Sequence, residues 1–218
     1  MPAEQLTFNL AYNARSDASD FHVSAANRTA VEWLQRYAAW EAPGIVLYGP
    51  PGSGKSHLAR AWAEQVSAAI IEDAAALDAY LATNSKHPVV IDAAMELSKT
   101  AAERMFFLYQ RGVKMVLVGT KPAQQWDVPL ADLASRLRAL PQVEIQAPDD
   151  ELMSALLLKY FAERGIAADP DVIDYLLPRL PRSAPEMRAV IASIDSNLLQ
   201  QHRKLSLAAV RDYFKSSN

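Results

Sequence analysis

The chain has 218 residues, half of them hydrophobic, with 22 Lys and Arg against 25 Asp and Glu for a net charge of −3. This length accommodates one large domain or a medium domain with a small one, and the charge balance argues against a strongly basic DNA-binding surface. The absence of cysteine excludes disulfides, thiolate zinc sites and thiol nucleophiles. With no apolar run of membrane-span length and no signal peptide, we expect a cytoplasmic protein without a membrane partner.

Short apolar runs and helical patterns alternate through the first two thirds of the sequence. The runs predicted as strands are 45–48, 69–72, 89–92, 115–119 and 143–145. The helical patterns around them include 28–40, 57–65, 98–111 and 130–140. This alternation predicts an α/β fold with an open parallel sheet and helices on both faces.

The pattern changes near residue 149, after which no further strand is evident. Asp149 or Asp150 can cap a helix that ends before Gly165, and Pro170 suits the first turn of the next helix. Two more helices are predicted over about 183–202 and 206–214. We therefore predict three parts: an N-terminal segment over 1–14, an α/β domain over 15–148 and a small all-helical domain over 149–218.

A complete phosphate-binding loop, G-x-x-x-x-G-K-S, runs from Gly49 to Ser56 between a predicted strand and a predicted helix. Its glycines allow backbone N–H groups to surround phosphate, and the helix N-terminus favours negative charge. Lys55 is predicted to reach the β- and γ-phosphates, and the Ser56 hydroxyl to bind Mg²⁺. A chance glycine-rich turn is the alternative. The predicted nucleotide-binding residues here are Gly49, Pro50, Gly52, Ser53, Gly54, Lys55, Ser56 and His57.

Asp92 ends the apolar run 89–92, as in the Walker B pattern, in which a buried strand places a carboxylate beside Mg²⁺. The next residue is Ala93, where ATPases with tandem acids have a second carboxylate that orients water. Glu96 would need a bend in the chain to replace it, so we expect weak hydrolysis by the isolated chain. Thr120 follows the run 115–119 and is either a γ-phosphate sensor or an ordinary strand end.

A P-loop, a Walker B strand, a polar strand end and a helical lid together resemble the AAA+ ATPases. The segment 21–27, FHVSAAN, is similar to the Phe…Asn segment that helps enclose adenine in the DnaA family of replication initiators. The resemblance implies nucleotide contacts for Phe21 and Asn27. Asn27 can also be explained as a capping residue before a helix.

The segment 130–137, LADLASRL, resembles the L-x-D-L-x-S-R-[LF] segment of the DnaA family, whose arginine acts as an arginine finger. The resemblance assigns that role to Arg136, although a solvated surface arginine is the alternative. In the lid, the family's sensor 2 arginine falls at Pro185, and Arg188, almost one turn further on, is the candidate replacement for contacting nucleotide.

The segment 5–10, QLTFNL, looks like a bacterial sliding-clamp binding peptide of the Q-L-x-[LF]-x-[LF] kind. The expected clamp contacts are Gln5, Leu6, Phe8 and Leu10, and the alternatives are a disordered tail or a first strand. DnaA proteins also carry a helicase-interacting domain before this module and a helix-turn-helix domain after it. The sequence ends at Asn218 and has only the short segment 1–14 before the α/β domain, so we expect neither here.

These features resemble the Hda-like, DnaA-homologous regulators that inactivate DnaA. The resemblance implies ADP or ATP with Mg²⁺ as cofactors, and the sliding clamp (the DNA polymerase III β subunit) and DnaA as partners. It implies that DNA is reached mainly through the clamp, near the nucleoid, and it is compatible with a homo-oligomer. Two other hypotheses stay open: a helicase-loader-like ATPase that binds single-stranded DNA, and a nucleotide-dependent scaffold without an arginine finger.

Overall fold

The computed structural model describes residues 22–92 and 98–216, which form two compact units. The first unit contains described residues up to Pro50 and then from Gly54 to Ile145. The second contains Pro51–Ser53 and the described residues from Gln146 onward. No helix among the described residues is both long and apolar enough to cross a bilayer.

A five-stranded parallel sheet forms the centre of the first unit, in the order β2-β3-β4-β1-β5. Tyr48 of β1 pairs with Gly119 of β4, and Asp92 of β3 pairs with Val118 of β4. The carboxyl ends of β1, β3 and β4 therefore lie side by side, at the edge where parallel sheets bind ligands. The strands are β1 (Gly44–Tyr48), β2 (Ala69–Ile71), β3 (Val89–Asp92), β4 (Met115–Gly119) and β5 (Gln142–Glu144).

The described helices of this unit cover both faces of the sheet, which explains why its central strands are apolar on both sides. Helices α1 and α2 pack on one face through residues such as Leu34 and Leu58, and α3, α4 and α5 pack on the other through residues such as Leu108 and Leu137. Each such buried leucine contributes about 1.5–3 kcal/mol. The helices are α1 (Arg28–Gln35), α2 (Lys55–Val66), α3 (Ala74–Ala82), α4 (Lys99–Gln110) and α5 (Ala131–Ala139).

Helix α2, which follows the P-loop, is fixed by a cluster of aromatic side chains. Trp62 is fully buried, stacks on Trp40 with ring centres 6.2 Å apart, and meets the edge of Tyr37 at 5.5 Å. Large buried rings in such offset and edge-on arrangements add specific packing to their area burial. These rings therefore hold the second half of α2 against the core.

The second unit has an apolar core of its own, in which Leu157, Phe161, Ile191 and Ile194 are buried. Its helices are α6 (Asp150–Glu163), α7 (Pro170–Leu176), α8 (Ala184–Gln200) and α9 (Leu207–Ser216), with a short 3-10 helix at Leu177–Arg179. The α/β sheet followed by an all-helical lid confirms the predicted fold class.

Most predicted elements agree with the structure. The strands over 89–92 and 115–119 are confirmed to the residue, and Asp149 caps α6 by accepting a 2.8 Å hydrogen bond from Leu152 N–H. The single helix predicted over 28–40 is wrong, because α1 stops at Gln35 and the chain turns through a 3-10 helix at Tyr37–Ala39. That turn carries Trp40 into the core. Helix α3 was not among the helices named from the sequence.

Candidate functional site

The P-loop connects β1 to α2 and has the backbone conformations that its glycines permit. Gly52 and Gly54 have backbone φ angles of 74° and 92°, which residues other than glycine rarely adopt. Gly54 is the N-cap of α2, and its side-chain-free position leaves the first turn of the helix without a side-chain cap. Phosphate is a natural partner for uncapped N–H groups at a helix N-terminus.

Lys55 is the charged group at the centre of this loop. It is only 7% exposed, and its Nζ donates a 2.7 Å hydrogen bond to the carbonyl oxygen of Pro50. Burial lowers the pKa of the Lys55 ammonium, while the nearby Asp92 carboxylate acts in the opposite direction and raises that pKa. A buried ammonium held inside a glycine-rich loop fits a phosphate ligand, so these residues are compatible with a bound nucleotide.

The remaining predicted P-loop residues are neighbours of Lys55 in the sequence. Ser53 is buried, whereas Ser56 and His57 are exposed on the first turn of α2. The Ser56 hydroxyl is thus available beside Lys55 for the Mg²⁺ that would accompany a nucleotide. Gly49 and Pro50 complete the connection from β1.

Asp92 and Thr120 lie at neighbouring strand ends. Asp92 is the half-buried last residue of β3, and Thr120 is the exposed residue that follows β4. Because β4 lies between β3 and β1, the strand order brings both residues to the same edge of the sheet as Lys55. A carboxylate can bind Mg²⁺ and a hydroxyl can bind phosphate, and these roles of Asp92 and Thr120 stay predictions.

Several predicted residues lie outside the described part of the chain, and their assignments stay predictions. They include the Walker B neighbours Ala93 and Glu96, the nucleotide candidate Phe21, and the expected clamp contacts Gln5, Leu6, Phe8 and Leu10.

Asn27 is buried immediately before α1. Its side-chain oxygen accepts a 3.0 Å hydrogen bond from Ser24 N–H, and its amide donates at 2.9 Å to the carbonyl of His22. Asn27 is the N-cap residue of α1, as the alternative expected, but its side chain makes no capping hydrogen bond to the helix and folds back onto 22–24 instead. The side-chain amide of Asn27 thus stabilises the preceding loop. The predicted contact of Asn27 with adenine remains a prediction.

Arg136 projects from the exposed face of α5. Leu133, Ala134 and Leu137 form the buried face of this helix, so the amphipathic pattern itself places Arg136 on the outside. Its guanidinium carbon lies 5.7 Å from the centre of the Tyr109 ring on α4. This cation–π contact gives an exposed arginine a preferred position without neutralising its charge.

The structure adds two supporting residues that were not found from the sequence, Tyr109 and Gln142. Gln142 accepts a hydrogen bond from Ala123 N–H at 2.9 Å and donates to the carbonyls of Leu137 and Leu140 at 3.2 and 2.9 Å. These bonds satisfy carbonyl groups at the end of α5, which helices otherwise leave unpaired. The position of Gln142 directly after Pro141, at the end of α5, was the sequence signal for its role. No sequence signal indicated the contact between Tyr109 and Arg136.

Arg188 lies on the lid helix α8 and is engaged within the lid. Its guanidinium carbon is 4.4 Å from the centre of the Tyr160 ring, and its Nη2 is 4.0 Å from a carboxylate oxygen of Glu163. Pro185, at the position expected for the sensor arginine, occupies the first turn of α8, where a missing N–H costs nothing. The nucleotide contact of Arg188 stays a prediction.

Comparisons with known proteins agree with this architecture. The family model described as "Hda, lid domain" matches residues 149–214. The replication initiator DnaA of Thermomicrobium roseum is 27% identical over 119 residues, half of this chain and 25% of that protein. DnaA of Cutibacterium acnes is 24% identical over 231 residues, 91% of this chain and 46% of that protein.

Among solved structures, a replication initiator DnaA bound to AMPPCP and single-stranded DNA has the same fold. Its TM-score is 0.65 at 20% identity, over 87% of this chain and 69% of that one. The chain spans between a quarter and half the length of the two curated relatives it matches. The lid match, the two DnaA relatives and the shared fold are consistent with an Hda-like, DnaA-homologous AAA+ protein.

Proposed function

We propose that this protein is a negative regulator of replication initiation that stimulates ATP hydrolysis by DnaA. In this scheme the chain holds a nucleotide at its own P-loop, docks on ATP-bound DnaA and contributes Arg136 to the partner's active site. The observation that carries the proposal is the position of Arg136, exposed on α5 and oriented by Tyr109. The similarity of the chain to DnaA proteins and to the Hda lid family also supports the proposal.

The chemistry asked of Arg136 is the stabilisation of negative charge on a transferring phosphoryl group. An arginine finger supplied in trans accelerates hydrolysis by roughly 10³–10⁵. Its planar guanidinium donates in a fixed geometry to phosphate oxygens. A side chain that rests on a ring at the surface keeps those donors available to a second protein, as this role demands.

The chain's own nucleotide is proposed to act mainly as a conformational cofactor. Lys55 would hold its phosphates, and Ser56 and Asp92 would hold Mg²⁺, which neutralises phosphate charge when bound. The solved DnaA with AMPPCP supports nucleotide binding by this fold. Ala93 provides no second carboxylate to orient water, so we expect the isolated chain to hydrolyse ATP slowly.

We further propose that the segment 5–10 tethers the protein to the sliding clamp, and through it to DNA at the nucleoid. The residues proposed to enter the clamp pocket are Gln5, Leu6, Phe8 and Leu10. Tethering turns a weak encounter with DnaA into one at high effective concentration. This part of the proposal is supported by the sequence pattern alone.

The decisive experiment measures ATP hydrolysis by DnaA in the presence of DNA-loaded clamp and this protein. Arg136→Ala should reduce the stimulated rate by about 10³-fold, or to DnaA's unstimulated rate if that is reached first. Arg138→Ala is the matched control, because Arg138 is also an exposed arginine, two residues further along α5. Full stimulation by Arg136→Ala would refute the mechanism.

A separate experiment addresses the tether. Clamp binding by the full chain is measured by surface plasmon resonance for the wild type and for Gln5→Ala combined with Leu6→Ala. The double variant should lose most of its clamp affinity and retain its affinity for nucleotide. Unchanged clamp binding would remove the tether and leave the role of Arg136 to be judged on the hydrolysis assay.

A further inference from the structure

A second candidate binding site lies within the helical lid. An open pocket of about 480 Å³ is lined by three basic and two aromatic side chains: Tyr175, Arg179, Arg211, Phe214 and Lys215. These residues come from α7, the 3-10 helix that follows it, and α9. Small-molecule sites occupy about 300–1,000 Å³, so the pocket accommodates a group the size of one nucleotide.

The arginines of this pocket differ from the other arginines of the lid. Four lid arginines face carboxylates, in the pairs Arg164–Asp195, Arg182–Asp150, Arg188–Glu163 and Arg203–Asp212. Arg179 and Arg211 instead face the Tyr175 ring, with guanidinium carbons 3.7 and 5.4 Å from its centre. Within 22–92 and 98–216, neither of these arginines nor Lys215 forms an ion pair with a carboxylate.

The acids nearest in sequence leave this charge uncompensated. Asp212 is adjacent to Arg211 but bonds to Arg203 at 3.0 Å, and Asp171 and Asp174 are exposed on α7 without an ion pair to the pocket cations. Three like charges around one pocket repel each other, and an anionic ligand would relieve that repulsion. The pocket is therefore suited to a ligand with phosphate or carboxylate groups.

The aromatic residues narrow the class of ligand. Tyr175 and Phe214 meet at 64° with ring centres 6.2 Å apart, so the rings present differently oriented apolar surfaces beside the cations. Sites for single-stranded nucleic acid combine these two features, with cations along the backbone and rings on which bases stack. A phosphate ion or an acidic peptide would use the cations without using the rings.

We propose that this lid pocket binds single-stranded DNA directly, with Arg179, Arg211 and Lys215 contacting phosphates and Phe214 contacting a base. The site is independent of Arg136 and of the clamp, through which DNA is reached in the function proposed above. It gives the lid its own contact with DNA. The other basic residues near the end of the chain, Arg203 and Lys204, do not line the pocket.

The test uses fluorescence anisotropy of labelled oligo(dT) with the full chain across a series of salt concentrations. For three phosphate contacts the slope of log K against log [salt] should be about −2, at roughly 0.7 per contact. Arg211→Gln with Lys215→Gln should reduce that slope by about 1.4 and weaken binding at least tenfold at low salt. The charge-matched control, Lys86→Gln with Lys204→Gln, removes two exposed cations outside the pocket and should stay within twofold of the wild type.

Equal losses in the two double variants, or no binding by the wild type at low salt, would overturn the proposal. Phe214→Leu keeps an apolar side chain in the lid core and should weaken binding at least fivefold through lost stacking, with an unchanged circular dichroism spectrum. A competition experiment completes the test. Unlabelled oligo(dT) should displace the labelled oligo(dT), and inorganic phosphate at the same concentration of negative charge should not. If poly-glutamate displaces the probe as effectively as oligo(dT), the pocket is a general anion surface and the proposal fails.

Discussion

Lys55 and Arg136 are two cations of the same α/β unit, and they differ in their exposure to solvent. Lys55 is buried at the start of α2 and donates to a carbonyl of its own loop. Arg136 is exposed on α5 and has an aromatic ring as its support. In the proposed function Lys55 binds a ligand of this chain, and Arg136 acts on a partner protein.

This difference separates holding a nucleotide from acting on one. Burial gives Lys55 a preformed position but reduces its access to any group that does not enter the loop. Exposure gives Arg136 access to a partner, and the Tyr109 ring limits the rotamer freedom that its ordering would otherwise cost. The proposed function uses both residues, and each can be removed by a single substitution.

The largest expected effect within the chain is that of Lys55→Met on nucleotide affinity. Loss of hydrogen bonds from a charged group costs about 1.5–3 kcal/mol, so the dissociation constant for ADP should rise about 10- to 100-fold. Titration calorimetry measures this directly. Arg136→Ala serves as the control and should change ADP affinity less than twofold; a comparable loss in that variant would end the separation of the two sites.

The next effect is on stability and concerns the support of Arg136. Gln142→Leu leaves the carbonyl of Leu140 and the N–H of Ala123 without their side-chain partner. It also removes one of the two hydrogen bonds to the carbonyl of Leu137, which keeps the bond from Leu140 N–H. Unpaired, partly buried polar groups should lower the free energy of unfolding by about 1–3 kcal/mol, measured by urea denaturation. The control is Gln124→Leu, which removes one exposed 3.4 Å bond to the Arg138 carbonyl. Equal effects would show that Gln142 does not anchor α5.

A smaller effect is expected at Tyr109. Tyr109→Leu keeps an apolar side chain but removes the cation–π contact, which is worth about 0.5–1 kcal/mol at an exposed site. The stimulated hydrolysis rate of DnaA should fall about two- to fivefold, with ADP affinity unchanged. Tyr109→Phe keeps the ring and should restore the rate. If Tyr109→Phe lowered the rate as much as Tyr109→Leu, the hydroxyl rather than the ring would matter, and Tyr109 would not orient Arg136 through a cation–π contact.

The sheet and the P-loop could be predicted from the sequence because their signals are local. Apolar runs define β3 and β4 to the residue, and the glycines of the loop are needed at φ angles of 74° and 92°. The end of α1 could not be predicted, since it depends on Trp40 packing against Trp62, a contact between distant residues. The same reason hid Tyr109 from sequence analysis, because it meets Arg136 only when α4 and α5 pack together.

The smallest expected effect is the contribution of Lys55 to the pH dependence of the free energy of unfolding. Burial, only partly opposed by Asp92, lowers the pKa of Lys55 in the folded chain below its ordinary value of 10.5. Between the folded and unfolded pKa values the unfolded chain binds more protons, so through this group the free energy of unfolding rises with pH. Urea unfolding over a pH series approaching 10.5 from below should show this rise in the wild type relative to Lys55→Met.

Arg136→Ala leaves Lys55 in place and should keep the wild-type dependence, which makes it the matched control for the series. A difference between the wild type and Lys55→Met that is flat or falls with pH would mean that Lys55 is not held in a poorly solvated position. The P-loop cation would then be as open to solvent as Arg136, and the contrast between a cation built to bind inside the chain and one built to act outside it would no longer stand.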